Sequence, residues 1–113
     1  DFAGGIESAI KTTKKYLADN HLDLKIEIET RNLKEVEEVL RVGGVDRIML
    51  DNFSPELMRE AVILIDKKFE TEASGGITLE SVRSFAETGV DYISIGAITH
   101  SVKAMDISLK SYS

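Results

Sequence analysis

The chain carries 113 residues, 42% of them hydrophobic and only one a proline, which is the composition of one ordinary globular domain. Twenty acidic against fourteen basic residues give a net charge of -6 with no basic run, which argues against a broad nucleic-acid footprint and suits a metal-bridged anionic substrate. The absence of cysteine excludes a disulfide framework and a thiolate zinc site and fits a reducing cytoplasm, and no apolar run approaches the length of a membrane span.

Asp1-Phe2-Ala3-Gly4-Gly5 does not look like a signal peptide and has no initiator methionine, so a chain cut open is expected. Ile6, Ala9, Ile10, Thr13, Tyr16 and Leu17 share one helical face and predict a helix over 5–19, followed by an alternating strand from about 24 to 29. Asn32 with Glu35 three residues on predicts a capped second helix that stops at Gly43-Gly44. Ser54-Pro55, the favoured order for an N-cap and first turn, opens a third helix. A fourth is predicted from about Thr78 to Gly89. The strands begin near Leu24, Asp46, Phe69 and Asp91, so each strand-plus-helix unit takes 22 or 23 residues. Alternation this regular predicts parallel strands. Gly44-Val45-Asp46-Arg47-Ile48 recurs two units later as Gly89-Val90-Asp91-Tyr92-Ile93, an echo that shared helix-to-strand turn chemistry suffices to produce.

Each strand has two faces. Leu24, Ile26 and Ile28 alternate with Lys25, Glu27 and Glu29, and Ile48 and Leu50 with Arg47, Met49 and Asp51. Phe69, Thr71 and Ala73 alternate with Glu70, Glu72 and Ser74, and Ile93 and Ile95 with Tyr92, Ser94 and Gly96. A doubly wound sheet is covered by helices on both faces, whereas a barrel keeps one face for its interior. A face carrying five carboxylates (Glu27, Glu29, Asp51, Glu70, Glu72) against Lys25 and Arg47 would be costly to bury under helices, and it suits the interior and mouth of a catalytic barrel. The expected fold is therefore α/β, a partial TIM-like barrel. A closed one takes about eight strands and roughly 250 residues, so four units make a fragment whose open edges leave backbone and apolar surface uncovered.

Two strand ends present bare backbone: Glu72-Ala73-Ser74-Gly75-Gly76 and Ile95-Gly96-Ala97-Ile98-Thr99-His100. Glycine lets an anion approach the main-chain amides, which carry the positive end of a following helix, and Ser74 adds a hydroxyl. Neither loop matches the dinucleotide fingerprint or the Walker lysine loop. The same glycines also serve a tight turn with no ligand, but two such ends one unit apart favour phosphate, which barrels commonly hold with consecutive loops.

Four strand ends in order, Ile26-Glu27-Ile28-Glu29, Met49-Leu50-Asp51-Asn52-Phe53, Glu72-Ala73-Ser74-Gly75-Gly76 and Gly89-Val90-Asp91-Tyr92-Ile93-Ser94-Ile95-Gly96-Ala97-Ile98-Thr99-His100-Ser101, resemble the quinolinate phosphoribosyltransferases, also called nicotinate-nucleotide pyrophosphorylases (carboxylating). The resemblance runs from Phe2 into Asp106-Ile107-Ser108-Leu109. It implies an N-terminal mixed domain followed by an open TIM-like barrel, of which residues 1–113 are the C-terminal portion, with the N-terminal domain and the first barrel strands absent. It implies transfer of phosphoribose from phosphoribosyl pyrophosphate to quinolinate with Mg2+, releasing pyrophosphate and carbon dioxide to form nicotinate mononucleotide. Glu29 and Asp51 would face the ribose as catalytic residues and hold magnesium, directly or through water. Ser74, Gly75, Gly96 and His100 would bind the 5′-phosphate. The cations that grip the two quinolinate carboxylates and the pyrophosphate fall upstream of residue 1, so this stretch alone is expected to be inactive. A cytoplasmic homodimer is implied, with each N-terminal domain completing the other subunit's barrel.

From the residues alone, Glu29 and Asp51 are equally strand-end carboxylates that cap the next helix or face water. Glu72 is expected to pair with Lys25 or Arg47 in a structural role. His100 has a helix cap as its rival role. His21, in a polar loop, is expected to be exposed, the two histidines make no zinc pattern, and Lys11, Lys14 and Lys15 form a solvated helix face. The rival functions are another phosphate-binding barrel enzyme, of nicotinate phosphoribosyltransferase or indole-glycerol-phosphate type, and a non-catalytic half-barrel module.

Overall fold

The computed structural model describes residues 5–96 and 102–105. In chain order these form α1 (Gly5–Asp19), β1 (Glu27–Thr30), α2 (Leu33–Val42), β2 (Arg47–Asp51), α3 (Pro55–Ile65), β3 (Glu70–Ser74), α4 (Val82–Ala86), β4 (Tyr92–Ile93) and β5 (Val102–Lys103). The five strands make one sheet in the order β1-β2-β3-β4-β5. The first three pairings are parallel, and β5 runs antiparallel to β4.

Local chemistry explains the helix ends. Asn32 is extended (φ -159°, ψ 171°) and its Oδ1 accepts the Glu35 amide at 2.9 Å, while the Glu35 carboxylate accepts the Arg31 amide at 2.7 Å. Two otherwise unsatisfied N–H groups are thereby paired by a reciprocal cap. Asn32→Ala should cost about 1 kcal/mol, read as a lower thermal midpoint of the whole protein, and an unchanged midpoint would discount the cap. Ser54 repeats the device, its Oγ accepting the Leu57 amide at 3.1 Å ahead of Pro55.

The echoed pentapeptides do the same work twice. Gly44 and Gly89 turn the chain at φ 82° and 95°, Val45 and Val90 are buried, and the aspartate that follows reaches back one strand. Asp46 Oδ2 accepts the Ile26 amide at 2.7 Å, and Asp91 Oδ2 accepts the Thr71 amide at 2.9 Å. Each carboxylate thus pins the start of the preceding strand and sets its register.

Sequential strand order decides the layering. Parallel crossovers are right-handed almost without exception, so consecutive neighbours place their helices on one side. Here α1 packs on α2, α2 on α3 and α3 on α4. Ile48, Leu50, Ala73, Ile93 and Ile95 face that layer and meet Val36, Val39, Met58, Ala61, Ile65 and Phe85 in one buried cluster. The sheet is singly wound, and the predicted division of each strand into an apolar and a polar face holds.

Three expectations are corrected. The first strand begins at Glu27 rather than near Leu24, because pairing with β2 starts where Ile26 accepts the Asp46 and Arg47 amides; Leu24 lies outside it, 62% exposed. The fourth helix spans only Val82–Ala86, since Thr78 and Ser81 close a hydrogen-bonded turn first: Ser81 Oγ accepts the Thr78 amide at 3.0 Å and Thr78 O the Ser81 amide at 3.2 Å. The strand count of four omitted β5, which pairs Lys103 with Tyr92 and Val102 with Ile93, so the expected open edge on that side carries a short antiparallel strand. Among the described residues the β1 edge is unpaired, as expected. Beside it a groove of about 390 Å3 runs between α1 and β1, lined by Ile10, Tyr16, Leu17, Leu24, Ile26 and Ile28. Of the predicted face of α1, only Ile6 and Ile10 are buried.

Candidate functional site

The carboxyl ends of parallel strands are where loops and helix termini converge, and ligands of open α/β sheets bind there. Register places the predicted carboxylates on one face. Glu29 pairs with Met49 and Met49 with Glu72; one row further on, Asp51 pairs with Ser74. Glu29 and Asp51 are thus diagonal neighbours, with Cα atoms about 8 Å apart from strand spacing and rise. Glu29, Asp51 and Ser74 all lie on the polar side.

Asp51 is half-buried and Glu29 exposed, with Arg31 Nη2 at 3.9 Å from the Glu29 carboxylate. Beyond Asp51, Asn52 takes the left-handed conformation (φ 63°) and its amide donates to Ser74 O at 2.8 Å. Gly75 and Gly76 continue at φ 95° and 69°. The Gly96 amide donates to Ile77 O at 3.0 Å, and Ile77 is buried, anchoring the turn in the core. The two predicted glycine strand ends are therefore stitched to one another. His100 lies outside the described residues. The Gly75-Gly76 turn does not run straight into a helix, because α4 starts at Val82; whatever the turn offers an anion comes from its own amides.

Beneath this rim the polar face carries an ion network. Glu72 is buried, and Arg47 donates from Nη1 to Glu72 Oε1 and from Nη2 to Glu70 Oε1, both at 3.2 Å. The Ser94 hydroxyl donates to Glu72 Oε2, and the Arg47 guanidinium lies 3.8 Å from the Tyr92 ring centroid. Of the two partners expected for Glu72, the structure supplies Arg47. Burial pulls the Arg47 pKa down, but hydrogen bonds to Glu72 and Glu70 outweigh it, and the group is held more firmly charged than usual. Tyr92 and Ser94 were not singled out from sequence. Their signal was parity: Tyr92 is the echo counterpart of Arg47, and Ser94 shares its face.

Glu27 is exposed as a residue, yet its carboxyl lies against Glu72. Desolvation, then hydrogen bonding to and repulsion from Glu72, raise its pKa from 4.5 to about 7 against the pull of Arg47. Between those values the folded state holds a proton that the unfolded chain has released, so stability falls as pH rises through about 4.5 to 7. Glu27→Gln should flatten that decline in EDTA buffer, by about 1 kcal/mol or less because solvent screens the site. Parallel stability–pH curves for the whole protein and its variant would refute the coupling.

Among the described residues, no group of three or more His, Asp or Glu is placed to hold a metal. Magnesium needs only one or two protein carboxylates when phosphates and water complete its shell, and the Glu29–Asp51 diagonal fits that requirement. The larger surface groove, about 610 Å3 and lined by Glu70, Asp91, Tyr92 and Lys103 among others, opens at the opposite, amino ends of β3 and β4. It is remote from the rim chemistry. His21 is exposed, as are Lys11, Lys14 and Lys15; Lys11 and Lys15 pair with Glu7 and Asp19 one helical turn away. No helix among the described residues is long and apolar enough to cross a membrane.

Residues 1–110 match the family model described as quinolinate phosphoribosyl transferase, C-terminal domain. The chain is 48% identical to quinolinate phosphoribosyltransferase (decarboxylating) 2, mitochondrial, of Nicotiana glauca, over 96% of its own length and 35% of that protein. It has the same identity and coverage against nicotinate-nucleotide pyrophosphorylase (carboxylating), chloroplastic, of Arabidopsis thaliana. The solved nicotinate-nucleotide pyrophosphorylase of Francisella tularensis superposes with a TM-score of 0.74 at 38% identity, covering 88% of this chain and 34% of that one. The chain thus spans about a third of the length of the curated relatives it matches.

Proposed function

The chain belongs to the family of the quinolinate phosphoribosyl transferase C-terminal domain, and from that premise we propose that the full-length protein transfers phosphoribose from phosphoribosyl pyrophosphate to quinolinate. The products are nicotinate mononucleotide, pyrophosphate and carbon dioxide, a step of NAD biosynthesis. The observation that carries this reading is the family match over residues 1–110, combined with a polar sheet face on which Glu29, Asp51 and Ser74 stand together at the strand ends.

The chemistry suits those groups. Breaking the anomeric carbon–oxygen bond before the new bond to nitrogen is complete leaves positive charge on the ribose. Fixed carboxylates beside it stabilise that charge, because they are already oriented when it develops. Glu29 and Asp51 take this role, and they are also the residues that would hold Mg2+, which when bound neutralises charge on the pyrophosphate leaving group. Ser74, Gly75, Gly96 and His100 take the 5′-phosphate, the first three on the stitched turns. The singly wound sheet is then an arc of an open α/β barrel whose remaining strands, with an N-terminal domain, lie elsewhere in the polypeptide, and a homodimer brings that domain to its partner. A cytoplasmic location is part of the proposal, to be checked by localising the tagged full-length protein, since the two plant relatives named above are mitochondrial and chloroplastic.

The test supplies the full-length protein with quinolinate, phosphoribosyl pyrophosphate and Mg2+ and follows carbon dioxide release. Stoichiometric carbon dioxide and nicotinate mononucleotide are expected. Turnover of nicotinate in place of quinolinate would reassign the substrate, and inertness towards both would remove the reading.

A further inference from the structure

We propose that Gly75 is a positioning residue for Asp51, beyond any part it takes in binding phosphate. A methyl carbon built on Gly75 would stand 2.8 Å from Asp51 Oδ1, 2.7 Å from the Asn52 amide nitrogen and 3.0 Å from Asn52 Cα. Those separations lie well inside van der Waals contact, which for carbon starts near about 3.5 Å. The Asp51 carboxylate thus lies over the bare Cα face of Gly75, in space that any other residue's Cβ would fill.

The backbone contacts give the arrangement its rigidity. The Asn52 amide is committed to Ser74 O at 2.8 Å, and Asn52 sits at φ 63°, a conformation asparagine tolerates better than most residues. Moving Asn52 away from a new methyl would break that bond at the place where β2 and β3 end. Swinging the Asp51 carboxylate alone would leave the 2.7 Å contact with the Asn52 nitrogen, so relieving the clash shifts the end of β2 that carries Asp51. Gly76 is the matched contrast: it has φ 69°, and a Cβ there would meet nothing within 4 Å. Both glycines lie at positive φ, and they differ in what a side chain would strike.

The kinetic part rests on the proposed reaction. In the full-length protein, Gly75→Ala is expected to lower kcat by about 10²-fold, the usual cost of about 1 Å of misplacement at a reacting centre. Gly76→Ala, also at positive φ but with nothing in reach of the new methyl, should lower it far less. In an Asp51→Asn background, Gly75→Ala should cost less than about 3-fold more, since residues acting as a unit are strongly non-additive. A rise in the KM for phosphoribosyl pyrophosphate with kcat retained, equal losses at 75 and 76, or full additivity with Asp51→Asn would each overturn the assignment. A crystal structure of the wild-type full-length protein supplies a readout independent of turnover and of whether the variant folds. It should show Asp51 Oδ1 in van der Waals contact with Gly75 Cα, and a carboxylate turned away from this turn would overturn the assignment even in an active enzyme. If quinolinate turnover is absent while that contact stands, the reaction is wrong and the positioning is retained.

Discussion

Asp51→Ala in the full-length protein is expected to lower kcat by about 10²–10³-fold, the range for removing one preorganised group that meets charge developing in a transition state. Its thermal midpoint should move by only a few degrees at most, because the truncation breaks no ion pair or side-chain hydrogen bond among the described residues, and large losses come from such features or from the core. The structure supports that split. Asp51 is half-buried at a strand end and makes no ion pair or side-chain hydrogen bond among the described residues, so the fold leans little on its carboxylate. Glu29→Ala should behave alike, since Glu29 is exposed and its nearest cation, Arg31, stands 3.9 Å away. Asp51→Asn keeps the volume and removes the charge, which separates electrostatics from shape. Steady-state kinetics beside thermal denaturation check the pair; wild-type turnover in Asp51→Ala would strip the residue of its assigned role.

Arg47→Ala should do the reverse and act on stability. Arg47 donates to Glu72 and Glu70 and lies over Tyr92, and Glu72 is buried. Removing one partner of a buried ion pair leaves charge desolvated, at about 3–5 kcal/mol; the Arg47 side chain is 26% exposed, which puts the expected loss towards the lower end. Adding Glu72→Gln should recover part of it, because a neutral amide costs less to bury than an unmatched carboxylate. Urea denaturation of the full-length protein reads both effects. Additive losses in the double variant would mean that the two side chains do not work as a pair.

Features that depend on a few neighbouring residues were legible in the chain. Asn32 and Ser54 cap their helices as their spacing implied, because a cap needs only a side-chain oxygen and an amide two or three residues on. The strand faces followed from alternation, since a pleat sends successive side chains to opposite sides whatever the strand pairs with. Glu72 was expected to find a cation on its own face, and parity alone narrowed the choice to Lys25 or Arg47. The Thr78–Ser81 turn defeated the helix expected from Thr78, because short hydroxyl side chains compete locally for the amides a helix would use.

Where contacts join distant parts of the chain, spacing was silent. Leu24 alternates like a strand residue yet stays outside β1, as a strand extends only as far as a partner offers amides and carbonyls. The short strand β5 returns beside Tyr92 by a reversal that no period announces. Gly75 looked like a turn residue open to phosphate, and its fit against Asp51 and Asn52 appeared only when two strand ends were brought side by side. Residue order is enough to set capping, periodicity and the parity of a strand, since these act within a turn or along one pleat. The stitching of neighbouring strand ends, the choice of Arg47 for Glu72 and the seat of the Asp51 carboxylate belong to packing, because each depends on distances between groups about twenty or more residues apart in the chain.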